Sequence, residues 1–255
     1  RAIWETLRAD ARRLAVHAHV PAPRVSESLP LASASDDGGE AASADLLVVV
    51  GPEHVHIARF GAIAVREGRV EALDVEDPEG HFEDLSVPPE SSDEVEPIDA
   101  LVERLGAIEL APDAVVAVSA AYGTPVSRLQ RVLASMVLAR RAPQVVVQRA
   151  SDDTLRAAPI QLVDQRATGA PGDAIIAVLP EGYALSESGR AIEIPRVAGM
   201  STAPLDAGAL AGAIGSSRGR RLIVDARGAV EAFEVIDTVF RAGRRGEVVG
   251  LLVGR

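Results

Sequence analysis

The sequence predicts an α/β protein of the α+β type, made of two tandem ββαβαβ modules, each a small sheet with helices packed on one face. Two observations predict this class. Apolar residues make up 47% of the chain and aromatic residues only 3%, so the cores must consist of aliphatic and β-branched side chains, which suit strands faced by helices. In addition, the same order of strand-like and helix-like segments occurs twice in 255 residues, which indicates an internal repeat.

The first half of the repeat is a pair of strands joined by a short turn. The segment that begins at Asp45 reads DLLVVVGPEHVHIARFG, and the segment that begins at Asp173 reads DAIIAVLPEGYALSESG. At an offset of 128 positions the apolar strand, the Pro-Glu turn, the second strand and a glycine all coincide. Because both segments have the length and composition of strands, we expect each module to begin with a strand pair.

The second half of the repeat is a helix, a strand, a second helix and a final strand. A Pro-x-Asp-Ala sequence begins the first helix at Pro97 and again at Pro204, 107 positions later, and proline is favoured in the first turn of a helix. Residues 116–147 then match residues 222–253 at an offset of 106 without a gap. Apolar residues at helical spacing line one face of each second helix, which predicts that it packs on a sheet.

These matches define the domain boundaries. The first module covers residues 45–150, the second covers 172–255, and residues 151–171 are a linker between them. Residues 1–44 are predicted to be an N-terminal helix followed by a flexible linker, because the segment just before the first module is poor in bulky residues.

The first module also contains an insertion. The fall in offset from 128 to 107 corresponds to about 21 additional residues, which we place within residues 67–96. This segment holds twelve carboxylates and three prolines. Such a composition predicts an exposed, flexible acidic loop.

The composition excludes several classes of function. A net charge of −11 and an isoelectric point near 5.0 disfavour nucleic acid and anionic membranes as partners, since both bind cationic patches. The absence of cysteine removes disulfides, cysteine-ligated zinc, iron–sulfur clusters and thiol catalysis. No apolar run approaches the roughly 20 residues of a membrane span, so we expect the chain as given to be soluble.

Two histidines are the candidates for a metal site. His54 and His56 are two residues apart on a predicted strand, so their side chains share one face. His81 or a carboxylate of the acidic loop could supply a third ligand, although no third ligand has a diagnostic spacing. The preferred interpretation is therefore a pair of exposed histidines on an edge strand, and the sequence predicts no metal and no cofactor.

The second module resembles the periplasmic domain of the ExbD/TolR biopolymer-transport family. The segment LIVDARGAVEAFEVIDTVFRAGRRGEVVGLLV shows an apolar strand that ends in aspartate, a short turn, a helix that contains Val-Ile-Asp and ends in Arg-Ala-Gly, and a final apolar strand, an order that is similar to that family's. The matching positions are Asp225, Val235, Ile236, Asp237, Arg241, Ala242 and Gly243. We take Asp225, Asp237 and Gly243 as the candidate partner-binding or structural motif.

The first module resembles the family less closely. Ser119 stands where the aspartate at the strand end is expected, and Arg140 and Arg141 replace the Ala-Gly turn. If the two modules have different roles, we expect the family-like contact with partners to belong to the second module.

The resemblance implies a non-catalytic function in the bacterial envelope. ExbD and TolR proteins are subunits of proton-driven motors of the inner membrane, so the implied partners are ExbB/TolQ-like and TonB/TolA-like membrane proteins, with peptidoglycan as a further contact. The implied location is the periplasmic side of that membrane, anchored only if a transmembrane helix with the proton-relay acid precedes Arg1. Because the family's domains pair as homodimers, we expect an intramolecular pseudo-dimer of the two modules, or a homodimer.

Two other functions stay open at this point. The first is a hydrolase-type enzyme that uses Asp225 with His54 or His56, which requires the fold to bring these side chains into one pocket. The second is a cytosolic scaffold that shares only the fold, since a fold does not fix a function. The sequence shows no recognisable catalytic residues, so our expectation is that the chain is not an enzyme.

Overall fold

The computed structural model describes residues 29–30, 33–34, 40–66, 69–72, 83–86, 95–111, 114–149, 154–163, 173–187, 189–197, 204–215, 221–226, 229–243 and 249–252. Within these residues the predicted α+β class is confirmed, because helices and two large mixed sheets make up the fold. The predicted N-terminal helix lies outside the described residues.

The first module and its flanking segments contain eleven strands and two helices among the described residues. They are β1 (Leu29–Pro30), β2 (Ser33–Ala34), β3 (Glu40–Ala41), β4 (Leu46–Val50), β5 (His54–Arg59), β6 (Ile63–Arg66), β7 (Arg69–Ala72), β8 (Glu83–Ser86), α1 (Asp99–Ala107), β9 (Val115–Ala120), α2 (Val126–Leu138), β10 (Ala142–Arg149) and β11 (Leu155–Pro159). A short 3-10 turn at Phe60–Ala62 connects β5 to β6. The first sheet has the order β3-β11-β10-β9-β4-β5-β8, with β2 beside β10.

The second module has the same design. Its elements are β12 (Gln161–Val163), β13 (Asp173–Leu179), β14 (Gly182–Glu187), β15 (Arg190–Pro195), α3 (Ala207–Gly215), β16 (Arg221–Ala226), α4 (Ala232–Gly243) and β17 (Val249–Leu252). The second sheet has the order β12-β17-β16-β13-β14-β15. In both sheets the strands that precede and follow the second helix run parallel, β9 with β10 and β16 with β17.

Each module has one strand more than predicted, so its order is βββαβαβ. The additional strands are β8, which pairs antiparallel with β5, and β15, which pairs antiparallel with β14. The two strands begin at Glu83 and Arg190, 107 positions apart, which is the offset that relates the later elements of the repeat. The prediction missed β15 because a turn of two residues separates it from β14, and it missed β8 because that strand lies within the acidic segment.

The position of β8 also corrects the predicted position of the insertion in the sequence. The additional residues lie between β5 and β8, at 60–82, whereas the prediction placed them within 67–96. Within the insertion, β6 and β7 form an antiparallel pair, and β1 adds to β7 as a third strand. The expectation of a flexible loop is therefore wrong for β7 and β8, and its other residues between 73 and 94 lie outside the described ones.

The predicted linker at 151–171 contributes a strand to each sheet. β11 pairs antiparallel with β10 in the first sheet, and β12 pairs parallel with β17 in the second. Only Ile160, which is 9% exposed, separates the two strands. The close contact at β12 explains Gly250 on β17, because a Cβ atom there would lie 2.6 Å from Cγ2 of Val163.

The helix α4 joins the two modules. It packs against β16 and β17 of its own sheet and against β9, β10 and β11 of the other, and it also contacts α2. Every residue of α4 is buried or half-buried. Side chains from both modules form one hydrophobic core, in which Phe240 of α4 is among the largest.

The two modules also exchange main-chain hydrogen bonds. The Val126 N–H donates to the Val230 carbonyl at 3.0 Å, and the Ala232 N–H donates to the Thr124 carbonyl at 2.8 Å. At the offset of 106, Val126 is equivalent to Ala232 and Thr124 to Val230. The repeat therefore interchanges the two bonds, so this contact has local two-fold symmetry.

The turn after α2 contains a strained residue. Arg140 has a φ of 55°, in the left-handed region where non-glycine residues are disfavoured. Its N–H donates to the Val137 carbonyl at 3.0 Å, and the Arg141 N–H donates to the Met136 carbonyl at 2.9 Å. This arrangement closes the C-terminus of a helix and usually has glycine at the left-handed position.

The neighbouring arginine gives this turn a structural role. The Nη2 atom of Arg141 donates to the carbonyls of Leu105 at 2.9 Å and Ile108 at 3.2 Å. Leu105 is in the last turn of α1 and Ile108 directly follows the helix, and the last carbonyls of a helix lack N–H donors within it and favour a positive charge. The Arg-Arg turn of the first module therefore fastens α1 to α2.

We expect Arg140→Gly to stabilise the protein by up to about 1 kcal/mol, because glycine removes the cost of the left-handed conformation. Urea denaturation monitored by circular dichroism measures the change. The matched control is Arg140→Ala, which removes the same charge but keeps the Cβ atom and should bring no gain. Equal stabilisation by both variants would show that charge, and not backbone strain, is the cause.

Candidate functional site

Asp225 lies at the end of a central strand of the second sheet. It is the fifth residue of β16, and it is 6% exposed. Leu222, Val224 and Ala226 of the same strand belong to the core shared with the helices. Because side chains alternate along a strand, Asp225 is on the opposite face, away from the helices.

Ser119 occupies the equivalent place in the first module. It is the fifth residue of β9, is fully buried, and lies on the sheet face opposite the helices. Its Oγ atom is buried and has no hydrogen-bond partner among the residues that the structure describes, which costs free energy for a hydroxyl group. The two modules thus share a buried polar residue at this strand end, and only the second keeps a carboxylate.

Asp237 pairs with another residue of the family-like motif. The Nε atom of Arg241 donates to Oδ2 of Asp237 at 2.6 Å, one turn along α4. The two side chains are 26% and 21% exposed, in that order. An ion pair of this exposure contributes little to stability, but it fixes the orientation of both side chains on the helix.

Gly243 is the last residue of α4. The helix therefore ends where the motif places its Ala-Gly turn, directly after the fully buried Ala242.

Sequence reasoning missed a second ion pair on α4. The guanidinium of Arg196, just after β15, donates to both carboxylate oxygens of Glu234, at 2.6 and 3.0 Å. Its Nε atom donates to the Pro180 carbonyl at 2.5 Å. The hydrogen bonds to Glu234 raise the pKa of Arg196 above its ordinary value. No spacing pattern could reveal this pair, because its members are 38 positions apart.

A buried tyrosine lies beside these groups. Tyr183 on β14 is 2% exposed, and its hydroxyl shares a hydrogen bond of 3.3 Å with the hydroxyl of Thr238 on α4. Burial raises the pKa of Tyr183 to about 12. Together with Arg196 and Glu234, this contact holds α4 against the strand pair of the second module.

The histidines are placed differently from the prediction. β5 is not an edge strand, because β8 pairs with its outer side, and His56 is buried with an exposure of 7%. The His54 side chain is 35% exposed. The two rings are on one face, as predicted, with their centroids 6.3 Å apart.

The described residues do not assemble the catalytic group that the hydrolase hypothesis requires. Asp225 is on β16 of the second sheet, whereas both histidines are on β5 of the first. Ser119 and His56 are on the same face of the first sheet, but β4 lies between their strands, with Val49 paired to both residues. Two strand spacings correspond to about 9–10 Å, too far for a hydrogen bond between the side chains.

Because the pKa of Tyr183 is raised, we expect the free energy of unfolding to decrease at alkaline pH. The unfolded chain loses the phenolic proton near pH 10, whereas the folded chain holds it until about pH 12. Unfolding is therefore coupled to proton release in this window, so stability present below pH 10 falls as the pH rises toward 12, by about 2–3 kcal/mol.

Tyr183→Phe should remove this part of the pH dependence. Urea denaturation of the variant and of the wild type between pH 8 and pH 11 measures it. Tyr122→Phe is the control, since it removes the hydroxyl of the other of the two tyrosines and leaves Tyr183 buried. A wild-type curve that Tyr183→Phe does not flatten would contradict the assignment.

Comparison with known proteins identifies no relative, so any proposal about function depends on the geometry of the chain itself. No protein-family model matches the chain, and searches of curated proteins and of solved structures give no significant match. In the part of the chain that the structure describes, no helix is long and apolar enough to cross a membrane. The residues that carry a functional proposal are therefore those of the two-module contact and of the motif on β16 and α4.

Proposed function

We propose that this chain is a non-catalytic envelope domain of an ExbD/TolR-like biopolymer-transport protein. It acts on the periplasmic side of the bacterial inner membrane, where proton-motive force drives transport across the envelope. Its two modules form an intramolecular pseudo-dimer, and that unit binds the partner proteins.

The main observation behind this proposal is the reciprocal pair of main-chain hydrogen bonds between the modules. In the family that the sequence resembles, the periplasmic domains pair as homodimers, and here repeat-equivalent residues bond to each other across the module contact. The N–H groups of Val126 and Ala232 each donate to the carbonyl two residues before the partner group. A duplicated domain that has replaced a homodimer would contain such a contact within one chain.

The motif residues of the second module support the proposal. Asp237 and Arg241, which both match the family pattern, form an ion pair on α4. Asp225 is buried at the end of β16. We assign the contact with ExbB/TolQ-like and TonB/TolA-like proteins, and with peptidoglycan, to this module, because the first module has Ser119 and Arg131 at the positions equivalent to the two aspartates.

The test is isolation of the native full-length protein from its own cells. We expect it in the inner-membrane fraction, together with an ExbB/TolQ-like membrane protein that mass spectrometry identifies after chemical crosslinking. The coding sequence ahead of Arg1 should contain about 20 apolar residues with one aspartate. A soluble cytosolic protein without these partners would overturn the proposal in favour of a cytosolic scaffold.

The module contact can be tested separately with Val126→Pro. Val126 is the first residue of α2, where proline is tolerated, and the preceding Pro125 has a ψ of 145°, which suits a residue before proline. The substitution removes one hydrogen bond between the modules and should cost about 1–2 kcal/mol of the free energy of unfolding. Urea denaturation monitored by circular dichroism measures the loss.

Asp99→Pro is the matched control. Asp99 is the exposed first residue of α1, after Ile98 with a ψ of 104°, so the same change is made at a helix start outside the module contact. We expect little loss of stability in this variant. Equal effects of the two prolines would contradict the pairing of the modules through the Val126 bond.

A further inference from the structure

The second sheet has a long open edge at β15. Among the described residues β15 pairs with β14 alone, and it has six residues, whereas the other edge strands of the described sheets have two to four. An edge strand presents main-chain groups that can pair with a strand of another chain, and proteins commonly keep such strands short. β15 is therefore the described edge that is best suited to the addition of a strand.

The pairing of β15 with β14 determines which main-chain groups are available at this edge. Arg196, directly after β15, donates its N–H to the Glu181 carbonyl at 3.0 Å. The hydrogen-bonded pairs of this antiparallel ladder therefore fall on Ile194 and on every second residue before it. The N–H and C=O groups of Ala191 and Glu193 consequently point away from β14, and both residues are exposed.

The helix beside this edge has no charged or polar side chain. α3 contacts β15, and its nine residues read AGALAGAIG. Leu210 and Ile214 are buried, whereas Gly208, Ala209 and Gly212 are exposed. A helix on a protein surface normally has polar side chains on its solvent face, and a helix without them is normally covered. The absence of a polar face on α3 indicates that another protein surface covers it.

We propose that β15 and α3 form the interface of a homodimer, in which β15 pairs antiparallel with β15 of a second copy of this chain. Two copies with a net charge of −11 each repel each other, so they must meet where the surface is neutral. α3 is uncharged, and β15 has one positive and one negative residue, Arg190 and Glu193. The inference does not depend on the envelope function, and it uses none of the residues whose hydrogen bonds join the two modules.

The available main-chain groups favour one register of the two strands. With Ala191 opposite Glu193 of the second copy, each of the two such pairs exchanges two main-chain hydrogen bonds. If Glu193 faced itself, two like charges would be opposed and Ala191 would face Pro195, which has no N–H. If Ala191 faced itself, Glu193 would face Gly189, which lies outside the strand and has a φ of 81°.

The favoured register places Ile192 on the two-fold axis. Ile192 is half-buried and packs against the hydrophobic core, on the helix side of the sheet. In the dimer it lies opposite Ile192 of the second copy, and directly opposed residues of an antiparallel pair share one face. The two side chains would shield each other from water, so the core of one copy would continue into the core of the other.

Sedimentation equilibrium of the full chain tests the dimer. We expect twice the mass of the chain. Ala191→Glu should raise the dissociation constant by about 2- to 30-fold, because a new carboxylate would lie opposite Glu193 in both pairs. The double variant Ala191→Glu with Glu193→Lys should restore the affinity, since each of these pairs then has opposite charges. Ser186→Glu is the matched control, because it adds the same charge at an exposed position of β14, away from the edge.

Single cysteines test the register, since the chain has no cysteine of its own. Residues of a non-hydrogen-bonded antiparallel pair have Cα atoms about 4.5 Å apart, within the range of a disulfide. Ile192→Cys should therefore form a disulfide-linked dimer on mild oxidation. Ala191→Cys should form little, because the two copies of residue 191 are offset by two positions along each strand, more than about 7 Å apart.

Two sets of results would contradict this inference. A chain that stays monomeric at every concentration would overturn the dimer and leave the open edge to a strand of another protein. A dimer that Ala191→Glu leaves as tight as the wild type would also overturn the interface, and circular dichroism checks that this exposed substitution keeps the fold. Equal crosslinking by Ile192→Cys and Ala191→Cys would overturn the register.

Discussion

The burial of α4 between the two sheets is the constraint on which the rest of the structure depends. A helix on the surface of a domain has one apolar stripe and one polar face, but no residue of α4 is fully exposed. Its side chains complete the hydrophobic core of both modules, and each fully buried large apolar side chain stabilises the fold by about 1.5–3 kcal/mol. Neither sheet can therefore keep its core if α4 leaves, which makes the two modules one folding unit.

This constraint explains where the polar groups of α4 are found. A helix that is enclosed on two sides must place its charged residues where partners satisfy them. Glu234 accepts two hydrogen bonds from Arg196, and Asp237 accepts one from Arg241. These ion pairs lie at the border between the core and the solvent. They satisfy the charged groups on that side of α4 and fix the rotation of the helix about its own axis.

The contact between the modules is symmetric in its main chain and asymmetric in its side chains. Glu231 accepts a hydrogen bond of 3.1 Å from the N–H of Gly123, and the rings of Tyr122 and Phe233 meet edge to face at 4.9 Å. The positions equivalent to Glu231 and Phe233 are Pro125 and Ser127, which cannot form the same contacts. The side-chain contacts thus differ between the two modules, although the main-chain hydrogen bonds of the contact are symmetric.

The sequence predicted the parts of the fold that repeat, because apolar periodicity and fixed offsets are local properties. These two properties predict the strands of the aligned segments and the four helices of the described residues. Pairing at long range is not local, so β8, β11 and β12 were missed, as β15 was. The residues of β8, β11 and β12 were assigned to an acidic loop and a linker, and only the neighbouring strands make them strands. For the same reason the sequence placed Asp225, Asp237 and Gly243 on their elements but could not reveal that Arg196 and Tyr183 meet α4.

The strand end shared by Ser119 and Asp225 indicates how the two modules have diverged. Both positions are buried on the face opposite the helices, so the requirement for a compact polar side chain at this place is common to the repeat. A buried carboxylate demands compensation by hydrogen bonds or opposite charge, whereas a hydroxyl tolerates their absence at a cost of about 1–3 kcal/mol. Among the described residues the Oγ atom of Ser119 has no hydrogen-bond partner, whereas the carboxyl group of Asp225 must be stabilised by its surroundings. The two modules therefore differ at this strand end in the polar group that they bury, a hydroxyl group in the first module and a carboxyl group in the second.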